Sequence, residues 1–226
     1  APLAGWLGDR WKATGMMSLF FLGTGTGMIA TGLARTPFEI ALGLSVTGLF
    51  ASIYHPVGLA WLVRNAVNRG TALGINNMFG GFGPAAAALM TGALIDWAGW
   101  HAAFLWPGVA VLATGVLFMI LVARGVIVES EADRRPDAPV SRGDATRALT
   151  IMFFSILCTS LIYQATQPAV PKLFSERVMG TEGGLLGVSA LVAGVYALSG
   201  LLQFAYGRIS DTFSPNRVYT IGFLIQ

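Results

Sequence analysis

Gly5-Trp6-Leu7-Gly8-Asp9-Arg10-Trp11-Lys12 is a short polar interruption of a strongly apolar chain, and Gly207-Arg208-Ile209-Ser210-Asp211-Thr212, running on to Arg217, repeats its skeleton 202 positions later. Each copy reads Gly, one residue, Leu or Ile, a small residue, then Asp, with basic residues close by. A polar pattern that recurs between long apolar stretches indicates a membrane protein built from a duplicated unit.

Composition agrees. Hydrophobic residues make up 54% of the chain and charged residues only 11%, with a mean hydropathy of +0.67, whereas an average soluble domain carries about 25% charged residues. One cysteine, Cys158, and two histidines exclude a disulfide framework and make a zinc site or thiolate cluster a poor fit. The net charge of +3 is spread between apolar runs rather than gathered in a patch, which argues against nucleic acid as a partner.

Marking every Asp, Glu, Lys and Arg leaves uncharged windows at 13–34, 40–63, 70–95, 97–123, 148–171 and 183–207. All six exceed the roughly 20 residues that cross a bilayer as a helix. None alternates like a barrel strand, so the expected class is an all-α membrane protein with helices over about 14–33, 38–63, 70–95, 101–123, 148–167 and 184–206, and partial helices at both ends.

On these residues the chain resembles the major facilitator superfamily of secondary transporters, in which a Gly-x-Leu-small-Asp-Arg loop joins transmembrane helices 2 and 3 and a degenerate copy joins helices 8 and 9. The resemblance implies an internal piece running from the tail of helix 2 into helix 9. Its organisation is then residues 1–123 as an N-terminal half bundle, 124–147 as a cytoplasmic linker and 148–226 as a C-terminal half bundle. Eleven of the 14 basic residues fall on the side of both motif copies and only Arg35, Lys172 and Arg177 on the other. That asymmetry puts the motif loops and the linker in the cytoplasm, and the expected location is a plasma membrane of bacterial inner-membrane type.

The gating set is Gly5, Asp9, Arg10, Gly207, Asp211 and Arg217. The glycines allow close helix contact, and a carboxylate near a helix N-terminus meets the positive end of its dipole. The resemblance implies a cytoplasmic latch, and the plainer account is a solvated turn. Lys12-Ala13-Thr14 departs from the family pattern, which has Gly followed by two basic residues there. For the second copy, the expected partner of Asp211 is the start of helix 5, near Arg69, Gly70 and Thr71.

Gly83-Pro84 should bend or loosen its helix, and it resembles the fifth-helix signature of the family's exporters, with Ala87 and Ala88 in the places of a Gly-Gly pair. Small-residue packing is the alternative. The substrate or proton pathway set is His55, Tyr54, Asn76, Asn77, Tyr163, Gln164 and Gln167. His55 is a titratable group well inside a span, beside Tyr54 and Pro56, and such a group faces a cavity, an ionic partner or a carbonyl. Ser155, Thr159, Tyr163 and Gln167 follow one another at steps of four on one slowly drifting face. Ser189, Tyr196, Ser199, Gln203 and Tyr206 form a second stripe, read mainly as packing. Gly23-Thr24-Gly25-Thr26-Gly27 lacks the lysine of a phosphate loop and reads as helix packing.

These readings converge on a transporter working by alternating access, with proton-coupled export first and uptake symport, uniport or a passive channel as alternatives. It is not expected to be an enzyme and needs no cofactor or metal. Its partners are a small-molecule substrate, the lipid bilayer and protons, and the expected state is a monomer.

Overall fold

The computed structural model describes residues 2–129, 141–177 and 184–225. Every regular element among them is helical: α1 (Pro2–Gly8), α2 (Ala13–Leu33), α3 (Pro37–Ala51), a π-helical segment (Tyr54–Leu59), α4 (Ala60–Asn65), α5 (Arg69–Ala98), α6 (Ala102–Ala123), α7 (Arg142–Arg177), α8 (Gly184–Thr212) and α9 (Pro215–Ile225). Six spans among the described residues are long and apolar enough to cross a membrane: Ala13–Leu33, Pro37–Asn65, Arg69–Ala98, Ala102–Ala123, Arg142–Thr166 and Ala190–Thr212. A helix satisfies its backbone groups internally, which hydrocarbon demands. Alternating directions bring the start of α2, the end of α4, the start of α5, the end of α6 and the end of α8 to one end of the bundle, the motif end.

Helices in lipid gain little from apolar burial against one another, so close backbone approach through small residues must hold them. α2 lies between α3 and α6 on that basis. A Cβ on Gly23 would fall 2.0 Å from Phe50 Cγ, on Gly27 2.6 Å from Thr47 Oγ1, and on Gly25 2.9 Å from the Gly108 carbonyl oxygen. The Gly23–Gly27 run therefore serves packing on two faces. Thr31, fully buried, returns its hydroxyl to the Gly27 carbonyl at 2.8 Å. At the far end His101 Nδ1 lies 2.7 Å from the Gly32 carbonyl oxygen, tying the start of α6 to the end of α2. Large exposed apolar side chains cover the remaining surface, and tryptophans mark both ends: Trp6 and Trp11 beside the first motif, Trp97, Trp100 and Trp106 opposite. That distribution suits lipid around the middle and interfacial belts at the rims.

The span expected over 38–63 is one crossing with a widened turn. Thr36 and Glu39 start it with a reciprocal capping box, and Pro56, which has no N–H to donate, lies in the π-helical segment. Loss of that donor is a sufficient local cause for the shift from i−4 to i−5 bonding.

Two helices run further than the apolar windows. α7 begins at Arg142 rather than near 148, because Ser141 caps it: the Asp144 N–H donates to Ser141 Oγ at 3.1 Å and Ser141 Oγ donates to Asp144 Oδ2 at 2.7 Å. α8 continues through the second motif to Thr212, so Gly207–Thr212 is helix rather than loop. Charge marks where lipid ends, whereas the backbone ladder can continue into water. α5 passes through Pro84 as an unbroken helix. Residues 130–140 of the linker, with Asp137, and residues 178–183, with Thr181, lie outside the described residues.

Candidate functional site

The start of α5 has no side-chain cap of its own, since Asn68 makes no capping bond, and a helix start leaves its first N–H groups without intrahelical partners. Asp211, from the end of α8, supplies what is lacking. The Gly70 N–H donates to Asp211 Oδ1 at 2.6 Å, and the Thr71 N–H and Thr71 hydroxyl both donate to Asp211 Oδ2 at 2.6 Å. All these groups are accessible to water, so the bond is reversible in principle.

Approach this close requires bare backbone on both helices. A Cβ on Gly70 would stand 2.4 Å from the Gly207 carbonyl oxygen, and one on Gly207 would stand 2.4 Å from that of Gly70. Further along, a Cβ on Gly74 would meet Gly207 Cα at 3.0 Å, and one on Gly81 would meet Gly200 Cα at 2.8 Å. Gly70, Gly74 and Gly81 thus form a seam with Gly200 and Gly207. By contrast Gly80 and Gly83 have no neighbour within 4 Å of where a Cβ would be. Within the Gly and Ala run that surrounds Gly83-Pro84 in the sequence, Gly81 is the glycine that meets the other helix.

Beside the seam is a recess of about 230 Å³ lined by Asn77, Gly80, Gly81 and Pro84 of α5, Tyr163 of α7, and Tyr196, Ser199 and Gln203 of α8. Amides, hydroxyls and aromatic rings form its wall, an assembly suited to orienting a small molecule by hydrogen bonds. Asn77, Tyr163 and Pro84 among the expected residues meet here. Tyr196, Ser199 and Gln203, which the sequence suggests mainly for packing, line the recess on one face at the spacing i, i+3 and i+7. Tyr206 does pack, donating its hydroxyl to the Val218 carbonyl at 3.2 Å.

His55 is not among the residues lining this recess. Its ring is exposed and stands edge-on to Tyr54 with centroids 5.5 Å apart. The Tyr54 hydroxyl donates to Asn76 Oδ1, and Asn76 Nδ2 donates to Asn77 Oδ1 at 3.4 Å. A short polar chain therefore leads from the π-helical segment to the recess wall. Gln164 is exposed on α7, and the side chain of Gln167 lies outside the described residues.

In the first motif copy the glycines also meet the π-helical segment. A Cβ on Gly5 would lie 3.7 Å from Pro56 Cβ, and one on Gly8 only 2.7 Å from Val57 Cγ2. Val57 and Ile53 bury against Ala4 and Met16 in an apolar cluster. Arg10 folds back over α1, its Nη1 donating to the Trp6 carbonyl at 3.1 Å with the guanidinium 3.9 Å from the Trp6 ring centre. Asp9 is exposed, as is Arg217 at the start of α9. Among the described residues no group of three His, Cys, Asp or Glu is disposed to hold a metal ion.

A family model described as Major Facilitator Superfamily matches residues 1–226. No curated protein and no solved structure matches the chain.

Proposed function

The chain belongs to the Major Facilitator Superfamily, and from that premise we propose that it moves a small molecule by alternating access, as an exporter driven by proton antiport. Membership makes it an integral membrane protein of a secondary-transporter family. In the proposed arrangement 1–123 and 148–226 are two half bundles joined by the 124–147 linker, with the motif end in the cytoplasm. α5 then belongs to one half and α8 to the other, and their seam is the closed cytoplasmic gate.

The observation that carries this reading is the Asp211 carboxylate on the Gly70 and Thr71 N–H groups, set at the end of a glycine seam. Side-chain-free backbone permits tight closure, and a water-accessible carboxylate on a helix start holds closure without making it permanent. The recess beside the seam supplies a candidate contact surface for the substrate. His55, next to the Tyr54–Asn76 bond and inside the Pro37–Asn65 span, is the proposed coupling group.

Full-length transporter in proteoliposomes tests the drive. An imposed proton gradient should support substrate movement against its own gradient and opposite to the proton flow. Movement with the protons would replace export by symport, and flux that only follows the substrate gradient would replace it by uniport or a channel. His55→Ala should lower flux or flatten its pH dependence while expression stays normal. Unchanged transport at every pH would remove His55 from the mechanism.

A further inference from the structure

α2 and α5 begin alike. Lys12-Ala13-Thr14 and Arg69-Gly70-Thr71 each place a basic residue, a small residue and a threonine at the helix start, and neither Lys12 nor Asn68 caps its helix through a side chain. Each start instead receives a carboxylate from far along the chain. For α5 it is Asp211. For α2 it is Glu129, whose Oε1 accepts from the Ala13 N–H at 3.1 Å and whose Oε2 accepts from the Thr14 hydroxyl at 3.3 Å, across 116 and 115 residues. Thr14 is buried and Glu129 half-buried.

We propose that Glu129 is a positioning residue for the first motif loop, fixing Asp9 to Lys12 from the start of the linker. This inference rests on the gating role proposed for the motif loops. The loop has two supports. On the α1 side Gly8 is in tight contact with Val57, and on the α2 side Glu129 takes up donors that would otherwise be left open at the helix start. A carboxylate on a helix N-terminus also meets the positive end of the dipole. Because Glu129 satisfies this start from outside, Asp9 is not drawn into capping its own helix and remains exposed to engage another element. Since Glu129 lies in the linker, six residues beyond the end of α6, displacement of the linker is felt at the motif loop. The Thr14 departure from the family pattern fits this contact, because its hydroxyl is the side-chain donor to the carboxylate.

The test is amide hydrogen exchange over residues 9–16 in the full-length transporter, with substrate flux measured on the same preparations. Glu129→Ala should speed exchange there about tenfold, the loss expected for a charge-assisted contact, and lower flux. Glu129→Gln keeps a carbonyl acceptor and should fall between wild type and Glu129→Ala. Unchanged exchange over 9–16 in Glu129→Ala overturns the contact, and faster exchange with wild-type flux overturns the positioning role. If Glu129→Ala does not fold, Thr14→Val decides, because it removes one of the two bonds: faster exchange confined to 9–16 supports the proposal and no change overturns it. Failure of the gating reading is separable, since it would show as Asp211→Asn leaving flux untouched whatever Glu129 does.

Discussion

Asp211 and the glycines around it act at the scale of single atoms. Three donors converge on one carboxylate within 2.6 Å, so neutralising that group weakens the attraction to the helix start while leaving the shape almost unchanged. Asp211→Asn is therefore expected to shift the full-length transporter toward the form open at the motif end. Spin labels at Val67 and Phe213, both exposed and flanking the contact, with Cys158 replaced because it too is exposed, should show a longer distance population in the variant. An unchanged distribution would remove Asp211 as a latch. Gly81→Leu tests the seam itself: a side chain has no room within 2.8 Å of Gly200 Cα, and overpacking of this kind costs about 1–3 kcal/mol. The readout is a lower unfolding temperature in detergent together with loss of closure in the same label pair. Asp211 was legible in the sequence because a charged residue at an apolar boundary stands out. The contacting glycines were not, since with 29 glycines in the chain their identity says nothing about which of them meets another helix.

At the scale of elements, the π-helical segment at Tyr54–Leu59 sets the angular position of everything before it on the same crossing. Replacing Pro56 by Ala restores a donor and should allow regular α-helical bonding. One residue of register corresponds to about 100° of rotation, enough to separate Tyr54 from Asn76. Tyr54→Phe, which removes the donor outright, should cost about 0.5–1.5 kcal/mol. In a double-mutant cycle Tyr54→Phe should have little further effect once Pro56→Ala is present, and additive losses would show that the widened turn does not serve this bond. Pro56 announced a break in the ladder, but whether the chain kinks, unwinds or widens depends on what packs against it, here Gly5 and Gly8 of α1. The early start of α7 has a different cause. Ser141 and Asp144 form a cap that a count of apolar residues passes over.

The whole molecule is organised by the bilayer: among the described residues six helices are long and apolar enough to cross it, with both motif copies brought to one end. The distribution of basic residues predicts that this end faces the cytoplasm. Labelling of single cysteines in the full-length protein should find positions near Arg69 and Asp211 accessible from inside and positions near Gly99 accessible from outside. The reverse pattern would invert the topology and with it the proposed direction of transport. The recess draws on α5, α7 and α8 together, so the proposed substrate contacts there depend on the two proposed halves being in register. Tyr196→Ala and Gln203→Ala should raise the substrate concentration needed for half-maximal flux without altering the Val67–Phe213 distances. A change in those distances would instead assign both residues to the seam.

The helical class, the six apolar stretches of membrane-crossing length and the duplicated motif were legible in the residues alone, because water and hydrocarbon sort charged from apolar residues whatever their neighbours are. Which faces meet was decided only by the tertiary structure. Lipid is as apolar as a helix interface, so a membrane helix need not display a hydrophobic stripe to reveal its buried side. The pairing of Gly70, Gly74 and Gly81 with Gly200 and Gly207, the seating of Asp211 and Glu129 on two similar helix starts, and the turning of Ser199 and Gln203 toward the recess all follow from backbone approach in three dimensions.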